Sequence, residues 1–235
     1  DSRIENIEAI RRSHLITRLS LIRSPMLSQA ERVVKYADVS LNTEIEVIRS
    51  LSLEAQKLHR THGVILMVEL GDLREGIMPD DLIDTVRETL SLPNIVFKGI
   101  GTNLACRSGV SPDAGNMAQL SELADSIEAT FGLTVDIVSG GNSANIQWVL
   151  CDTGIGRIND LRLGESILLG CEPLYRTPID GLHTDAITLI AEVIESKVKP
   201  SQPSGEIAQS AFGEKQSATD RGYIMQIILA IGIQD

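Results

Sequence analysis

The sequence predicts an α/β protein in which buried parallel strands alternate with amphipathic helices and a β-rich segment follows. Three observations carry that expectation. Val64-Ile-Leu-Met-Val68 is a continuous apolar run, the kind expected of a strand covered on both faces. After it, Leu82, Ile83, Val86 and Leu90 recur at helical spacing. From about residue 172 the texture changes: Pro173, Pro178, Pro200 and Pro203 punctuate the chain and the helical spacing stops.

Taken in order, Ser28 and Glu31 form a capping-box pattern ahead of Val33 and Val34, and Ile45, Ile48 and Leu58 line a further helix. Ile95-Val-Phe97 reads as a strand running into Gly99-Ile-Gly-Thr-Asn103. Met117, Leu120, Leu123, Ile127 and Phe131 mark one helix face, and Gly132 stands where a C-terminal cap belongs. Val135 to Val138, and Leu161 onward into Ile167-Leu-Leu169, read as two more strands. The strand ends fall near residues 70, 101, 139 and 164, so the strand-helix units are about 25 to 40 residues long; a (β/α)₈ barrel, with units of roughly 30, suits this spacing. A doubly wound open sheet fits almost as well on pattern alone. Ala186 to Ile194 and Tyr223 to Ile231 read as strands with no helix between them, so a second, β-rich domain is expected to start near residue 183.

A 43% hydrophobic and 23% charged composition is that of an ordered globular chain. The formal charge of −11, with an isoelectric point near 4.8, argues against nucleic acid or an anionic membrane as partner, since either needs a basic face. A local basic pocket for one phosphate remains compatible with that charge. Cys106, Cys151 and Cys171 fit neither a disulfide framework nor a zinc site and read as core thiols in a reducing compartment. No apolar run reaches the roughly 18 residues of a membrane span. Ile224 to Ile233 comes nearest, and with Gln226 inside it reads as a strand. The chain opens at Asp1 without an initiating methionine and stops at Asp235 just after a strand-like run, so both ends are expected to continue in a longer polypeptide.

In a barrel of this kind the chemistry sits at the C-terminal mouths of the strands. Polar residues fall at those mouths here. Glu69-Leu-Gly71-Asp-Leu-Arg74-Glu-Gly76 offers an arginine that is either a solvated loop residue or a fixed donor to a ligand oxygen. Gly101-Thr-Asn103 offers a small polar side chain or a turn-former. In Ser139-Gly-Gly-Asn142-Ser143 the glycines either make a plain turn or let the backbone approach an anion, with Ser143 adding a hydroxyl. Leu161-Arg162-Leu-Gly164-Glu165 sends a cation into a strand, which requires an acceptor inside. Each signal is weak by itself, and their order is the informative part.

The succession Glu-Leu-Gly-Asp-Leu-Arg74-Glu-Gly, Gly-Thr-Asn103-Leu-Ala, Gly-Asn142-Ser143-Ala and Leu-Arg162-Leu-Gly164 resembles the strand-end motifs of the alanine racemase family, most closely its alanine/ornithine racemase branch, over essentially the whole chain. The resemblance implies strands three to eight of a (β/α)₈ barrel in residues 1–178, then the start of a C-terminal β-domain in 183–235. It implies a pyridoxal 5'-phosphate-dependent isomerase that interconverts L- and D-amino acids, cytoplasmic and homodimeric. Arg74 would donate to the pyridoxal 3-oxygen. Asn103 would take the place where alanine racemase has a histidine against the pyridine ring. Ser143, with the backbone at Gly164 and Glu165, would hold the phosphate, Asn142 would support that turn, and Arg162 would face the pyridine nitrogen. Arginine donates to that nitrogen without protonating it, which suits racemisation better than transamination.

The sequence also departs from the family pattern. The Schiff-base lysine of the family is expected upstream of Asp1, and Lys35, Lys57, Lys98, Lys197, Lys199 and Lys215 do not sit in the matching motif, so this stretch by itself is expected to be inactive. Phe212 stands where the family has the tyrosine that acts as second base from the neighbouring subunit. Competing readings are a non-catalytic pyridoxal-phosphate carrier, a decarboxylase or D-threonine-type aldolase on the same scaffold, and a barrel binding an unrelated phosphate ligand. Glu69, Asp72 and Glu165 near the mouth suggest a preference for a basic side chain such as ornithine's.

Overall fold

The computed structural model describes residues 1–151, 154–210 and 219–232. The chain divides into two compact units, Asp1–Ala186 and Ile187–Asp235. The first alternates helix and strand: α1 (Ile4–Arg12), β1 (Ser20–Leu21), α2 (Ala30–Tyr36), β2 (Val39–Asn42), α3 (Ile45–Lys57), β3 (His62–Val68), α4 (Leu82–Ser91), β4 (Ile95–Thr102), α5 (Ala114–Phe131), β5 (Ile137–Asn142), α6 (Ile146–Cys151), β6 (Asp160–Arg162) and α7 (Glu165–Leu169). Its six strands form one parallel sheet in the order β1-β2-β3-β4-β5-β6. Consecutive neighbours joined by helices make a curled part-barrel, the arrangement the strand spacing suggested.

Burial on both faces explains the apolar run in β3, where every residue is buried. Val64, Leu66 and Val68 face the helices and join Leu82 and Val86 of α4 and Met117, Leu120 and Ile127 of α5 in the main core. The alternate residues Ile65 and Met67 meet Leu41 of β2 on the opposite, concave face. A separate cluster around Ile4, Ile7, Val33, Val34 and Leu51 fixes α1 and α2 against β1. Helix α5 carries the expected signals. Asp113 accepts from the Asn116 N–H while Asn116 accepts from that of Asp113, and Gly132 closes the helix at φ 64°.

Two sharp backbone features aim the sheet. Gly99 has φ 149°, and a Cβ there would lie 1.9 Å from the Ile137 carbonyl oxygen, so the bulge that shifts register between β3 and β4 needs glycine. Gly141 has φ 146°, with Asn145 Oδ1 only 2.1 Å from a would-be Cβ.

Several local expectations are corrected. The strand read at Val135 starts at Ile137 and runs through both glycines to Asn142. The strand read from Leu161 to Leu169 ends at Arg162; Glu165–Leu169 is a short helix capped by Gly170 at φ 66°. Ser28 and Glu31 make no capping box, because Leu27–Gln29 is a 3₁₀ turn in which Gln29 Oε1 accepts from the Met26 N–H. The cysteines are not core thiols: Cys106 and Cys151 are exposed and Cys171 is partly so, all three being free and lying outside the sheet.

The second unit holds an antiparallel pair, β7 (Val193–Pro200) and β8 (Tyr223–Leu229). Residues 187–192, read as the start of a strand, are not in the ladder, which begins where Val193 meets Leu229. Among the described residues no helix is long and apolar enough to cross a membrane.

Candidate active site

The C-terminal ends of the parallel strands enclose an open cleft of about 470 Å³. Arg74, Glu75, Asn103, Asn142 and Arg162 line it, so four of the residues singled out in the sequence meet there from the exits of β3, β4, β5 and β6. Ser2 and the β1 exit, Ile22-Arg23-Ser24, form the remaining wall. These four carried no signal that pattern reading could single out, and Glu75 was passed over inside the motif that holds Arg74.

Arg162 ends β6 half-buried, and the acceptors its position demanded are present. One terminal nitrogen donates to the Ser139 hydroxyl. The other donates to the Thr102 carbonyl at 2.7 Å and reaches Asn103 Oδ1 at 3.4 Å. Burial pulls this guanidinium down to about 10, with Asp160 opposing and the Arg74 charge adding to the fall, so it still holds its proton at neutral pH. Asn103 Oδ1 also accepts from Asn142 Nδ2 at 3.1 Å, whereas Asn103 Nδ2 is buried without a partner. Asn142 donates further to the Leu104 carbonyl at 2.8 Å and accepts from the Ala144 N–H at 2.8 Å. An asparagine with three such contacts fixes the turn that follows β5.

Ser143 and Gly164 do not line the cleft; they form a small polar cup next to Asn142. The buried Ser143 hydroxyl accepts from the Gly164 N–H at 3.2 Å and from the Ser166 N–H at 3.2 Å, with the Ser166 hydroxyl at 3.1 Å. Glu165 opens α7 beside this cup, and its carboxylate is taken by Arg176. A Cβ added to Gly164 would meet nothing within 4 Å.

At the β3 exit, Arg74 pairs with Glu75 and donates to Cys106 Sγ at 2.9 Å. Burial lowers its pKa, but the bonds to Glu75 and Cys106 outweigh that and leave it raised. Asp72 is fully buried and does not face the mouth. Its carboxylate accepts from the backbone N–H groups of Cys106, Arg107, Ser108 and Val110, at 3.2, 2.8, 3.1 and 3.3 Å. Glu69 likewise accepts from the N–H groups of Gly71 and Leu73. The three carboxylates that suggested a basic substrate are therefore engaged with the protein itself; Glu75, which that reading passed over, is the acid that lines the cleft.

A family model described as alanine racemase, N-terminal domain, matches residues 2–173. The chain belongs to the alanine racemase N-terminal domain family. Over its full length it is 44% identical to an ornithine racemase from Acetoanaerobium sticklandii and 32% identical to a lysine racemase from Thermotoga maritima, spanning 66% of each. The chain thus covers just under two thirds of the length of these relatives. Among solved structures, an alanine racemase from Clostridium difficile 630 superposes over 98% of this chain and 58% of its own, with a TM-score of 0.62 at 17% identity. PipY from Synechococcus elongatus, solved with PLP bound, covers 69% of this chain and 77% of its own, with a TM-score of 0.57 at 16% identity. At such identities these structures speak for the fold, a part-barrel of the alanine racemase type. Among the described residues no lysine of this family member lines the cleft, and Phe212 and Lys215 lie outside the described residues.

Proposed function

We propose that the intact protein is a pyridoxal 5'-phosphate-dependent amino-acid racemase acting on a free amino acid with a basic side chain, of which ornithine is the first to test. The observation that carries this reading is the meeting of two arginines and two asparagines in one cleft, beside a cup of hydroxyl and N–H groups, in a member of the alanine racemase family. Two details of the residues themselves fit the cofactor. The orphaned Asn103 Nδ2 has a donor to offer in the cleft wall, and the free space above Gly164 admits a phosphate oxygen beside Ser143.

When bound, pyridoxal phosphate withdraws electron density from the Cα of an attached amino acid, which lets the Cα proton leave and return. Ser143, with the backbone at Gly164 and Glu165, would hold the phosphate, and Asn142 keeps that turn in place. Arg74 donates to the 3-oxygen of the ring. Arg162, which keeps its proton at neutral pH, would donate to the ring nitrogen without protonating it. Asn103 ties Arg162 to Asn142 and so couples the two ends of the site. Glu75 lines the cleft with both carboxylate oxygens on Arg74, so it holds that guanidinium in place.

The preference for a basic amino acid is supported by the names of the two relatives, and the racemase reading over a carrier by the second unit with its β7–β8 pair. On the same reading residues 1–178 form the cofactor-binding domain, residues 183–235 begin a C-terminal β-domain, and the protein works as a cytoplasmic homodimer. The decisive experiment incubates the full-length protein with L- or D-ornithine, lysine and alanine singly and follows optical rotation. Loss of rotation for ornithine is expected. Unchanged rotation for all three, in protein that absorbs near roughly 420 nm as a bound pyridoxal chromophore does, would instead favour the carrier.

A further inference from the structure

Arg162 contacts the Ser139 hydroxyl, which in turn contacts Asp160. Ser139 lies on β5 fully buried, and Asp160 lies two residues before Arg162 on β6, so Asp160 and Arg162 project to the same side of the sheet. The Ser139 hydroxyl donates to an Asp160 carboxylate oxygen, which turns its lone pairs toward Arg162, and it accepts there from a guanidinium nitrogen. One hydroxyl therefore bridges a carboxylate to a guanidinium that, among the described residues, has no carboxylate hydrogen-bonded to it directly; it also donates to the Thr102 carbonyl and Asn103.

We infer that Ser139 and Asp160 are positioning residues for Arg162: the carboxylate orients the hydroxyl, and the hydroxyl fixes the guanidinium plane toward the cleft. The inference rests on the proposed cofactor role of Arg162 for its consequence, but the bridge exists independently of it. A guanidinium only donates, so the hydroxyl can meet Arg162 only with a lone pair, and an acceptor oxygen at residue 160 takes its proton and holds the rotor in that one orientation. The Asp160 carboxylate also opposes, in part, the fall that burial and the like charge of Arg74 impose on the Arg162 pKa.

The bridge predicts an order of effects that a simple counter-ion would not. Asp160→Asn keeps an oxygen that accepts from Ser139 and so keeps the aim, while removing the charge. Ser139→Ala keeps the charge and removes the aim. In the full-length protein, titrated with pyridoxal 5'-phosphate and, separately, with inorganic phosphate, Ser139→Ala is expected to weaken pyridoxal phosphate about tenfold, the scale of one charge-assisted hydrogen bond. Asp160→Asn is expected to weaken it about threefold, and both variants should bind inorganic phosphate as the parent does, because the bridge acts on the ring end. The reverse order, or equal loss of both ligands, overturns the proposal. The side-chain NMR signal of Arg162, recorded without cofactor, tests the bridge by itself: slow exchange of its guanidinium protons in the parent and in Asp160→Asn, lost in Ser139→Ala, supports it, and no difference between the three overturns it. If the parent fails to bind pyridoxal phosphate, the cofactor reading fails, and this signal still decides whether Ser139 and Asp160 position Arg162.

Discussion

Of the places on the strand exits where backbone N–H groups converge, two meet acceptors of opposite kinds. After β3 and β4, four amides from Cys106 to Val110 converge on the Asp72 carboxylate, a full negative charge supplied by the chain. After β5 and β6, two amides converge on the Ser143 hydroxyl, a neutral dipole. The first nest is filled, and it staples the loop carrying Arg74 to the loop that follows Asn103. The second meets only a neutral hydroxyl, beside open space at Gly164. The contrast separates an anion that belongs to the fold from the place where the proposed phosphate would arrive with its ligand.

The largest effect is expected from emptying the filled nest. Asp72→Ala leaves buried amides without an acceptor and should destabilise the full-length protein by about 3 to 4 kcal/mol in urea denaturation, given roughly 1 to 3 kcal/mol for each unpaired buried group and partial access to water. A loss below about 1 kcal/mol would mean that the loops hold together without it. The pH dependence has a definite sign. Burial raises the Asp72 pKa, but the four amide donors outweigh it and hold the group below its ordinary 3.8 in the folded protein. Its contribution is therefore complete above pH 3.8 and is lost as pH falls through the lower folded value. Asp72→Asn, measured from pH 6 downward, should shed less stability in that acid window than the parent does.

Next in size is the attempt to convert the open cup into a filled one. Ser143→Asp places a carboxylate where the phosphate is proposed to sit, and like charge at that distance should weaken pyridoxal phosphate about a hundredfold or more. Ser143→Ala removes one hydroxyl and should cost about tenfold. Equilibrium titration of the full-length protein distinguishes these. Equal affinities for Ser143→Asp and the parent would remove the phosphate from this cup.

Much of the scaffold was legible because its signals are local. Val64 to Val68 announces a strand covered on both faces by its own composition, and Gly132 marks a helix end by its position after Phe131. The misread stretch from Leu161 to Leu169 shows the limit. Its apolar residues suit a strand, yet the N–H groups of Gly164 and Ser166 are claimed by a hydroxyl 21 and 23 residues upstream, and that turns the chain into α7. The site divides in the same way. Arg74, Asn103, Asn142 and Arg162 were readable as motifs in order, but their partners were not: Cys106 is 32 residues from Arg74, and Thr102 is 60 from Arg162. The acidic residues misled because Glu69, Asp72 and Glu165 look alike on paper whether they face a substrate, a row of amides or, as Glu165 does, a neighbouring arginine.

The smallest expected effect isolates the cup from the fold, and it uses two glycines on consecutive strand exits. Gly141 has φ 146° and no room for a Cβ, so Gly141→Ala should cost about 1 to 3 kcal/mol of stability by strain and collision with Asn145. Gly164 has free space above it, so Gly164→Ala should leave stability within about 0.5 kcal/mol of the parent. The new methyl would nonetheless stand in the space offered to a phosphate oxygen, and pyridoxal phosphate should bind about threefold more weakly, a loss of roughly 0.6 kcal/mol. The same titration run on both variants, each checked by thermal melting, makes the distinction: a glycine needed by the backbone moves the melting temperature, whereas a glycine needed by the ligand moves only the affinity. Were Gly164→Ala to lower the melting temperature as much as Gly141→Ala, the open space would belong to the fold, and the contrast between the filled nest and the waiting cup would lose its second half.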